Sequence, residues 1–363
     1  MSRLPVGGDA WLTAVAEVAL AAGVQGRGDL VRALAAELAA AAPSSTGALP
    51  SRVLAETRVT EQLIITGSPE VAAPLLDALD KKIEALRADR PGLAGRVLSA
   101  LTLARRFAGD AGAAHALAED AILAFERAGD QRNALLQRGR LGYALMEIGD
   151  YAAADRRLSD VISASDRMGL GNVAATARHN LGLTLARLGR FDEARTHERA
   201  AVAAFRASGN RRMEGASLEY LALIELDAGD STAAIEAARG ACAVAEVEPI
   251  LPLNLSESLA ILGQGLLAAG RPDEALAVAR RGLEILEGLG GIDDGEAIIR
   301  LTVAEALFAT GATDAGRAAI AAARERLLHR AARIPDEAMR AHFLQRVPEN
   351  RRTLELATAR AAP

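Results

Sequence analysis

Five histidines are the side chains in this 363-residue chain best suited to acid–base or metal chemistry. None has a second histidine four residues away or a cysteine beside it, and such spacings are what a helix needs to hold a metal ion. We therefore expect no metal site, and expect each imidazole to be solvated or hydrogen-bonded on a helix. The five residues are His115, His179, His197, His329 and His342.

The single cysteine, Cys242, stands between two alanines. One cysteine excludes an internal disulfide framework and favours a cytoplasmic location. Its neighbours predict a small buried apolar side chain and not a nucleophile.

Catalytic sequence motifs are also missing. The chain has no GxSxG, no phosphate-binding GxxxxGK[ST], no GxGxxG after a strand, and no HRD or DFG motif. Its acidic residues are spread along helix faces, where paired surface charge is the ordinary explanation. We expect a protein without catalytic residues, cofactor or metal, and keep an enzyme built on a helical toroid as the least favoured alternative.

The amino-acid composition indicates that the chain is built of helices. Half of the residues are hydrophobic but only 3% are aromatic, and the abundant alanine and leucine are strong helix formers. A net charge of -5 disfavours binding to nucleic acid or an anionic membrane. Residues 317–363 carry ten arginines against five acids, and we expect the cluster of Arg324, Arg326, Arg330 and Arg333 to be a solvated cap. No signal peptide or membrane-spanning stretch is evident.

A glycine recurs every 40 or 41 residues, and a second series falls about midway between its members. Each period therefore holds two helical segments, which predicts a helical hairpin as the repeating unit. The first series is Gly109, Gly149, Gly189, Gly229, Gly270 and Gly311, and the second is Gly129, Gly169, Gly209 and Gly290.

Residues around the first series of glycines keep the same register. A bulky residue stands eight positions before each glycine, as in Leu141 and Leu181, and a small one stands five positions after it, as in Ala154 and Ala194. Two closely crossing helices require such a pair, because the small side chain lets the backbones approach. Asp150 then occupies a position suited to capping the second helix.

Other residues mark helix ends and bends. Asp230 is placed to cap a second helix, and Pro272 to begin one. The segment 41–50 and the pair Pro249 and Pro252 predict bends, since proline interrupts a helix ladder.

The pattern predicts an all-α solenoid of about eight antiparallel hairpins, and the family resemblance given below implies that the solenoid is right-handed. We divide it into a degenerate N-terminal hairpin at residues 1–48, a repeat array at 49–331 and C-terminal capping helices at 332–363.

Two repeats carry a further pattern. A LeuGly pair stands at 141–142 and 181–182, Tyr151 follows the next turn, and an alanine follows three residues later. This resembles the tetratricopeptide repeat, over roughly residues 50 to 330. The chain departs from that repeat in its longer period and in having Ala222 and Ala304 at the second position of the pair.

The longer period is similar to the extended repeats of kinesin light chains and of sensor modules in large bacterial regulators. Residues 333–350 resemble the segment that closes such arrays in bacterial signalling kinases and ATPases. The resemblance implies that this chain corresponds to the sensor end alone, because no kinase or nucleotide-binding segment is present.

In tetratricopeptide arrays the first helix of each hairpin lines the concave face, and the position nine residues before the turn glycine contacts a bound peptide. The resemblance therefore implies that Asn180 hydrogen-bonds a peptide backbone. Arg140, one repeat earlier, has the planar donor fork that suits a ligand carboxylate. The predicted peptide-binding residues are Arg140, Tyr143, Asn180, Leu183, Tyr220 and Gln264. Leu223 and Glu305 occupy the same position as Gln264 in the neighbouring repeats. The alternative for the tyrosines is packing between helices.

Two functions of different classes follow. The first is a non-enzymatic scaffold or adaptor in bacterial signalling, which binds a protein or peptide partner in its concave groove. The second is a sensor for a small ligand or signal peptide, which changes its superhelical pitch and so regulates an attached or separate effector. Such a sensor would be a module of a regulator such as a transcription factor, kinase or ATPase. The sequence identifies neither the partner nor the oligomeric state.

Overall fold

The structure is a computed structural model, and it describes residues 4–41, 49–108, 110–248, 250–289 and 295–360. Within those ranges the chain forms nineteen helices and no strand. None of these helices is both long and apolar enough to cross a membrane. The chain divides into two compact units, one ending at Arg138 and the other beginning at Gly139.

The first unit contains seven whole helices and the beginning of an eighth, which continues into the second unit. They are α1 (Asp9–Val24), α2 (Gly28–Ala40), α3 (Leu49–Ile65), α4 (Pro69–Asp80), α5 (Ile83–Asp89), α6 (Pro91–Phe107), α7 (Ala111–Arg127) and α8 (Gln131–Glu147).

The core of the first unit begins where α1 packs on α3. Trp11 and Leu12 of α1 are fully enclosed there, with Leu63 of α3. The buried carboxylate of Glu56 pairs with Arg52 at 2.9 Å and with Lys82 at 2.5 Å. Two cations on one buried carboxylate offset the cost of removing its charge from water.

The second unit continues the hairpins to the C-terminus. Its helices after α8 are α9 (Tyr151–Arg167), α10 (Gly171–Arg187), α11 (Phe191–Ala207), α12 (Arg211–Asp227), α13 (Ser231–Glu246), α14 (Pro252–Ala268), α15 (Pro272–Gly288), α16 (Glu296–Ala309), α17 (Thr313–Ala331), α18 (Glu337–Gln345) and α19 (Pro348–Arg360).

The glycine series do form the turns. The described members all have positive φ, between 66° and 82°, a conformation that costs other residues a steric penalty. Gly109 and Gly290 lie outside the described residues. Since α1 to α4 and α6 to α17 form eight helix pairs, the prediction of about eight hairpins is confirmed. The likeness to solved helical-repeat proteins given below agrees with the predicted fold class.

Small residues bring the two helices of a hairpin together, as expected. Leu141 and Ala154 are both buried. The glycine of the LeuGly pair adds to this contact, because a Cβ built on Gly142 would lie 2.6 Å from a methyl carbon of Leu158. Asp150 accepts a hydrogen bond from the backbone N–H of Ala153 at 3.2 Å, which confirms the predicted N-cap.

The remaining helix-end predictions are met within the described residues. Asp230 caps α13 by accepting from Ala233 N–H at 2.9 Å, and Pro272 begins α15. Pro252 begins α14, while Pro249 and residues 42–48 of the expected linker lie outside the described ranges. The division at residues 48 and 331 stays a prediction.

Successive first helices also contact one another, α10 with α12, α12 with α14 and α14 with α16. Buried or half-buried polar side chains join them in each case. Ser217 meets His179 at 3.0 Å, Ser258 donates to Glu219 at 2.6 Å, and Gln264 donates to Thr302 at 2.9 Å. These bonds fix the register of neighbouring repeats, because a shifted hairpin leaves buried polar atoms unpaired.

The left-handed turn can be tested at Gly189, which has φ of 80° and open space around a built Cβ. We expect Gly189→Ala to destabilise the fold by about 1–2 kcal/mol, since only backbone strain is added. Gly171, at the start of α10, also has open space but no positive φ. The control Gly171→Ala should be neutral or stabilise by up to about 1 kcal/mol. Urea unfolding followed by circular dichroism compares the two, and equal effects would contradict the turn assignment.

Candidate functional site

One cavity lies along the first helices of the second unit, with a volume of about 630 Å³. It is lined by the C-terminal halves of α12 and α14, by α16 and α19, and by Arg187 at the end of α10. Its lining residues are Arg187, Leu223, Leu226, Asp227, Gln264, Leu267, Ala268, Ile298, Leu301, Glu305, Phe308, Ala309, Pro348, Glu349, Arg352, Leu356 and Arg360.

The repeat register explains the apolar floor of this cavity. Residues six positions before the turn glycine point into it from three successive repeats, and so do residues three positions before the glycine. The second of these sets is apolar throughout, consisting of Leu226, Leu267 and Phe308. A ligand laid across the helices therefore meets one large apolar side chain per repeat.

Polar groups in the middle of the cavity hold one another in place. Gln264 Nε2 donates to Thr302 Oγ1 and to Glu305 Oε2, both at 2.9 Å. The other oxygen of Glu305 accepts from Arg352 Nε of α19 at 2.7 Å. Since both amide hydrogens of Gln264 are used, its carbonyl oxygen is the part of the side chain that can accept a bond from a ligand N–H.

A charged cluster forms one end of the cavity. The Arg187 side chain is 8% exposed and donates to both oxygens of Asp227, at 2.9 and 2.7 Å. Glu349 of α19 lies 3.6 Å from the same guanidinium. Burial raises the pKa of Asp227, and Arg187 opposes that shift. At the other end, the Arg360 guanidinium lies over the Phe308 ring, 4.7 Å from its centre.

The six predicted peptide-binding residues are placed unevenly. Gln264 lines the cavity, together with Leu223 and Glu305 of its register. Asn180 and Leu183 are buried, 5% and 7% exposed. The remaining three, Arg140, Tyr143 and Tyr220, are half-buried. None of these five residues is among those lining the cavity.

Sequence reasoning missed the charged cluster. Arg187 and Asp227 both stand two positions before their turn glycines, so the same register count would have found them. Glu349 and Arg352 belong to α19, outside the repeats, and no periodic signal identifies them.

His179 lies in a buried polar cluster beneath Tyr220, whose ring stacks on the imidazole with centres 4.2 Å apart. The imidazole Nδ1 is 2.8 Å from Glu198 Oε1 and 3.0 Å from Ser217 Oγ. The second oxygen of Glu198 is buried without a hydrogen bond within the described structure. Burial raises the pKa of this carboxyl. The expectation of a hydrogen-bonded helix histidine is confirmed here, and Tyr220 packs on that histidine.

Other reactive groups are placed for structure. Cys242 is buried as expected, and burial raises the pKa of its thiol to about 12. Within the described ranges, no three histidine, cysteine or acidic residues lie close enough to hold a metal ion. In the arginine-rich C-terminal segment, Arg326 pairs with the buried Glu296 at 2.7 Å, and Arg330 lies over the Phe343 ring.

No known family model matches the sequence, and no curated protein matches it. Solved structures do resemble the fold. A Rap protein complexed with the competence and sporulation factor matches with a TM-score of 0.64 and 15% identity, over 96% of this chain and 98% of that one. The Rap conjugation gene regulator of plasmid pLS20, complexed with the Phr* peptide, matches with a TM-score of 0.58 and 13% identity, over 96% and 94%.

The quorum sensor NprR from B. thuringiensis, in its apo form, matches with a TM-score of 0.52 and 11% identity, over 96% of this chain and 98% of NprR. At these identities the likeness shows a shared tetratricopeptide-like helical-repeat fold and does not by itself show a shared function.

The buried carboxyl of Glu198 predicts a pH dependence. Its pKa in the folded chain lies above the ordinary 4.5, so the folded chain binds more protons just above pH 4.5 than the unfolded chain does. The group's contribution to stability is therefore present below pH 4.5 and is lost as the pH rises through the folded-state pKa. We expect Glu198→Gln to unfold at a higher temperature than wild type at pH 7, with a smaller difference at pH 4.5.

Thermal unfolding at the two pH values measures this difference. Glu193→Gln on the same helix is the control, because Glu193 is exposed and hydrogen bonding from Arg190 lowers its carboxyl pKa. That variant should give no stabilisation at pH 7. If Glu198→Gln is less stable than wild type at pH 7, the buried group is held as a favourable ion pair with His179.

Proposed function

We propose that this protein is a non-enzymatic regulator or adaptor that binds a short peptide, or an extended segment of a partner protein, in the cavity of its second unit. The observation that carries this proposal is the cavity itself, with its apolar floor and fixed polar groups. Pockets of roughly 300–1,000 Å³ with such linings are typical of sites for small ligands.

The apolar floor favours an extended ligand. An extended peptide places alternate side chains on one side, where Leu226, Leu267 and Phe308 form the apolar floor. Its backbone N–H groups need acceptors when buried, and the Gln264 carbonyl is one.

Two of the structural neighbours support a peptide as the ligand, since one is complexed with the competence and sporulation factor and another with the Phr* peptide. A role in bacterial signalling, a cytoplasmic location and the likeness to sensor regions of signalling kinases and ATPases belong to this proposal. So do the predicted contacts of Arg140, Tyr143, Asn180, Leu183 and Tyr220.

The sensor alternative would use α19, which belongs to the cavity wall, to respond to an occupant, and a quorum sensor is among the proteins of similar fold. A sensor should become more compact when ligand binds, as measured by small-angle scattering, whereas a rigid scaffold should not.

The cavity can be blocked at Ala268, an exposed lining residue at the end of α14. Wild-type protein is mixed with a pool of random synthetic pentapeptides, and the retained peptides are identified by mass spectrometry. We expect Ala268→Trp to weaken their binding by at least about tenfold in calorimetry, because the indole fills the space of the ligand.

Ala269→Trp is the matched control, since Ala269 is also exposed but does not line the cavity. Its affinity should match that of wild type. Equal binding by both variants would place the ligand elsewhere, and loss of binding only in Asn180→Ala with Arg140→Glu would place it at the sequence-predicted groove. If wild type retains no peptide, the proposed function is wrong.

A further inference from the structure

The C-terminal hairpin of α18 and α19 is attached to the rest of the second unit by an apolar core on one side. Leu356 and Ala357 of α19 pack against Leu301 of α16 and Ile320 of α17. Phe343 of α18 and its neighbours form a second cluster with the end of α17. These apolar contacts bury side chains that are costly to expose, so this side of the hairpin stays fixed.

The other side of the same hairpin makes polar contacts with the beginning of the unit. Glu349 pairs with Arg187 at 3.6 Å, and the Tyr151 hydroxyl donates to the backbone carbonyl of Arg346 at 3.5 Å. Tyr151 and Arg346 are 195 residues apart in sequence. Burial raises the pKa of the Tyr151 phenol to about 12, so the hydroxyl remains a donor at neutral pH.

The turn at Gly149 is shaped for this approach. A Cβ built on this glycine would lie 2.8 Å from the Cβ of Arg346 and 3.3 Å from the carbonyl oxygen of His342. By contrast, the equivalent turn glycines Gly189 and Gly229 have nothing within 4 Å. Glycine is therefore required at position 149 for two reasons, its positive φ and the close approach of the C-terminal hairpin.

These polar contacts can open without leaving a buried charge alone. When Glu349 moves away, Arg187 keeps both of its bonds to Asp227. Removing one partner of a buried pair is costly only when the other charge is left uncompensated. The long 3.6 Å separation and the partly exposed carboxylate of Glu349 also indicate a weak pair.

We propose that α19 is a hinged wall of the ligand cavity, anchored by its apolar face on α16 and α17 and latched by Glu349 to Arg187 and by Arg346 to Tyr151. The hinged wall rests on the proposed function, and it is how ligand binding in the cavity would be regulated. Opening the latch admits the ligand, and a ligand that contacts both α19 and the first helices favours the closed state, because it binds that state more tightly.

The latch can be followed in the ligand-free chain with two nitroxide labels. Cys242 is the only native cysteine and is replaced in Cys242→Ala. Labels are attached at Arg167→Cys at the end of α9 and Gln345→Cys at the end of α18, both exposed positions. Pulsed electron spin resonance then gives the distribution of distances between the two sides of the latch.

We expect Glu349→Gln to increase the longer-distance population about two- to fivefold, the change expected when one partly exposed ion pair is lost. Tyr151→Phe, which removes only the hydroxyl, should move the distribution in the same direction. The control Glu355→Gln breaks an ion pair with Arg351 within α19 and should leave the distances unchanged. Circular dichroism checks that all variants are equally helical.

Unchanged distances in both Glu349→Gln and Tyr151→Phe would overturn the latch, as would an equal shift in Glu355→Gln. Because the labels report on the ligand-free chain, this result is separate from the pentapeptide capture. If the variants open the latch but wild type retains no peptide, the hinged wall is supported and the proposed peptide ligand is wrong.

Discussion

The close approach of the two helices in each hairpin is the constraint on which the second unit depends. Gly142 lets Leu158 reach the backbone of α8, and Ala154 sits against the same helix without a large side chain. Two closely packed helices cannot bury all of their own apolar side chains, so the neighbouring hairpin buries the rest. That stacking aligns successive first helices, and the cavity exists because three of them, α12, α14 and α16, lie side by side.

Alignment of the first helices also lets polar side chains between them form hydrogen bonds. Serine or threonine on one helix meets histidine, glutamate or glutamine on its neighbour in each contact from α10 to α16. Each bond is modest in net stability, but an unmade one leaves a desolvated polar atom. The bonds therefore act chiefly on register, and a fixed register places Leu223, Gln264 and Glu305 on one surface.

Charge in the cavity is balanced before any ligand arrives. Arg187 pairs with Asp227 and Glu349, and Glu305 pairs with Arg352. With Arg360 included, the lining holds three arginines and three carboxylates. A ligand must therefore gain its affinity from the apolar floor and from a few backbone hydrogen bonds. This balance is compatible with binding a short, largely uncharged segment, and it explains why no cluster of like charge in the sequence identified the site.

Much of the fold could be predicted from the sequence, because its signals are local. A glycine with positive φ, an aspartate cap and a small residue opposite leucine each act within one hairpin, and their 40-residue spacing repeats that hairpin. The same register count reached Gln264, while it placed Asn180 and Leu183 on a face that the structure buries. A helix repeat gives the periodicity of a face, but the packing of neighbours decides which positions stay open.

The position of α19 as a wall of the cavity depends on tertiary structure alone. Glu349 and Arg352 belong to a helix outside the repeats, and Tyr151 meets Arg346 across 195 residues. Such contacts depend on the small rotation that each hairpin adds to the last one, summed over the whole unit. No short stretch of sequence encodes that sum, so the sequence determined the repeating hairpin, and only the folded chain determined what its first helices enclose.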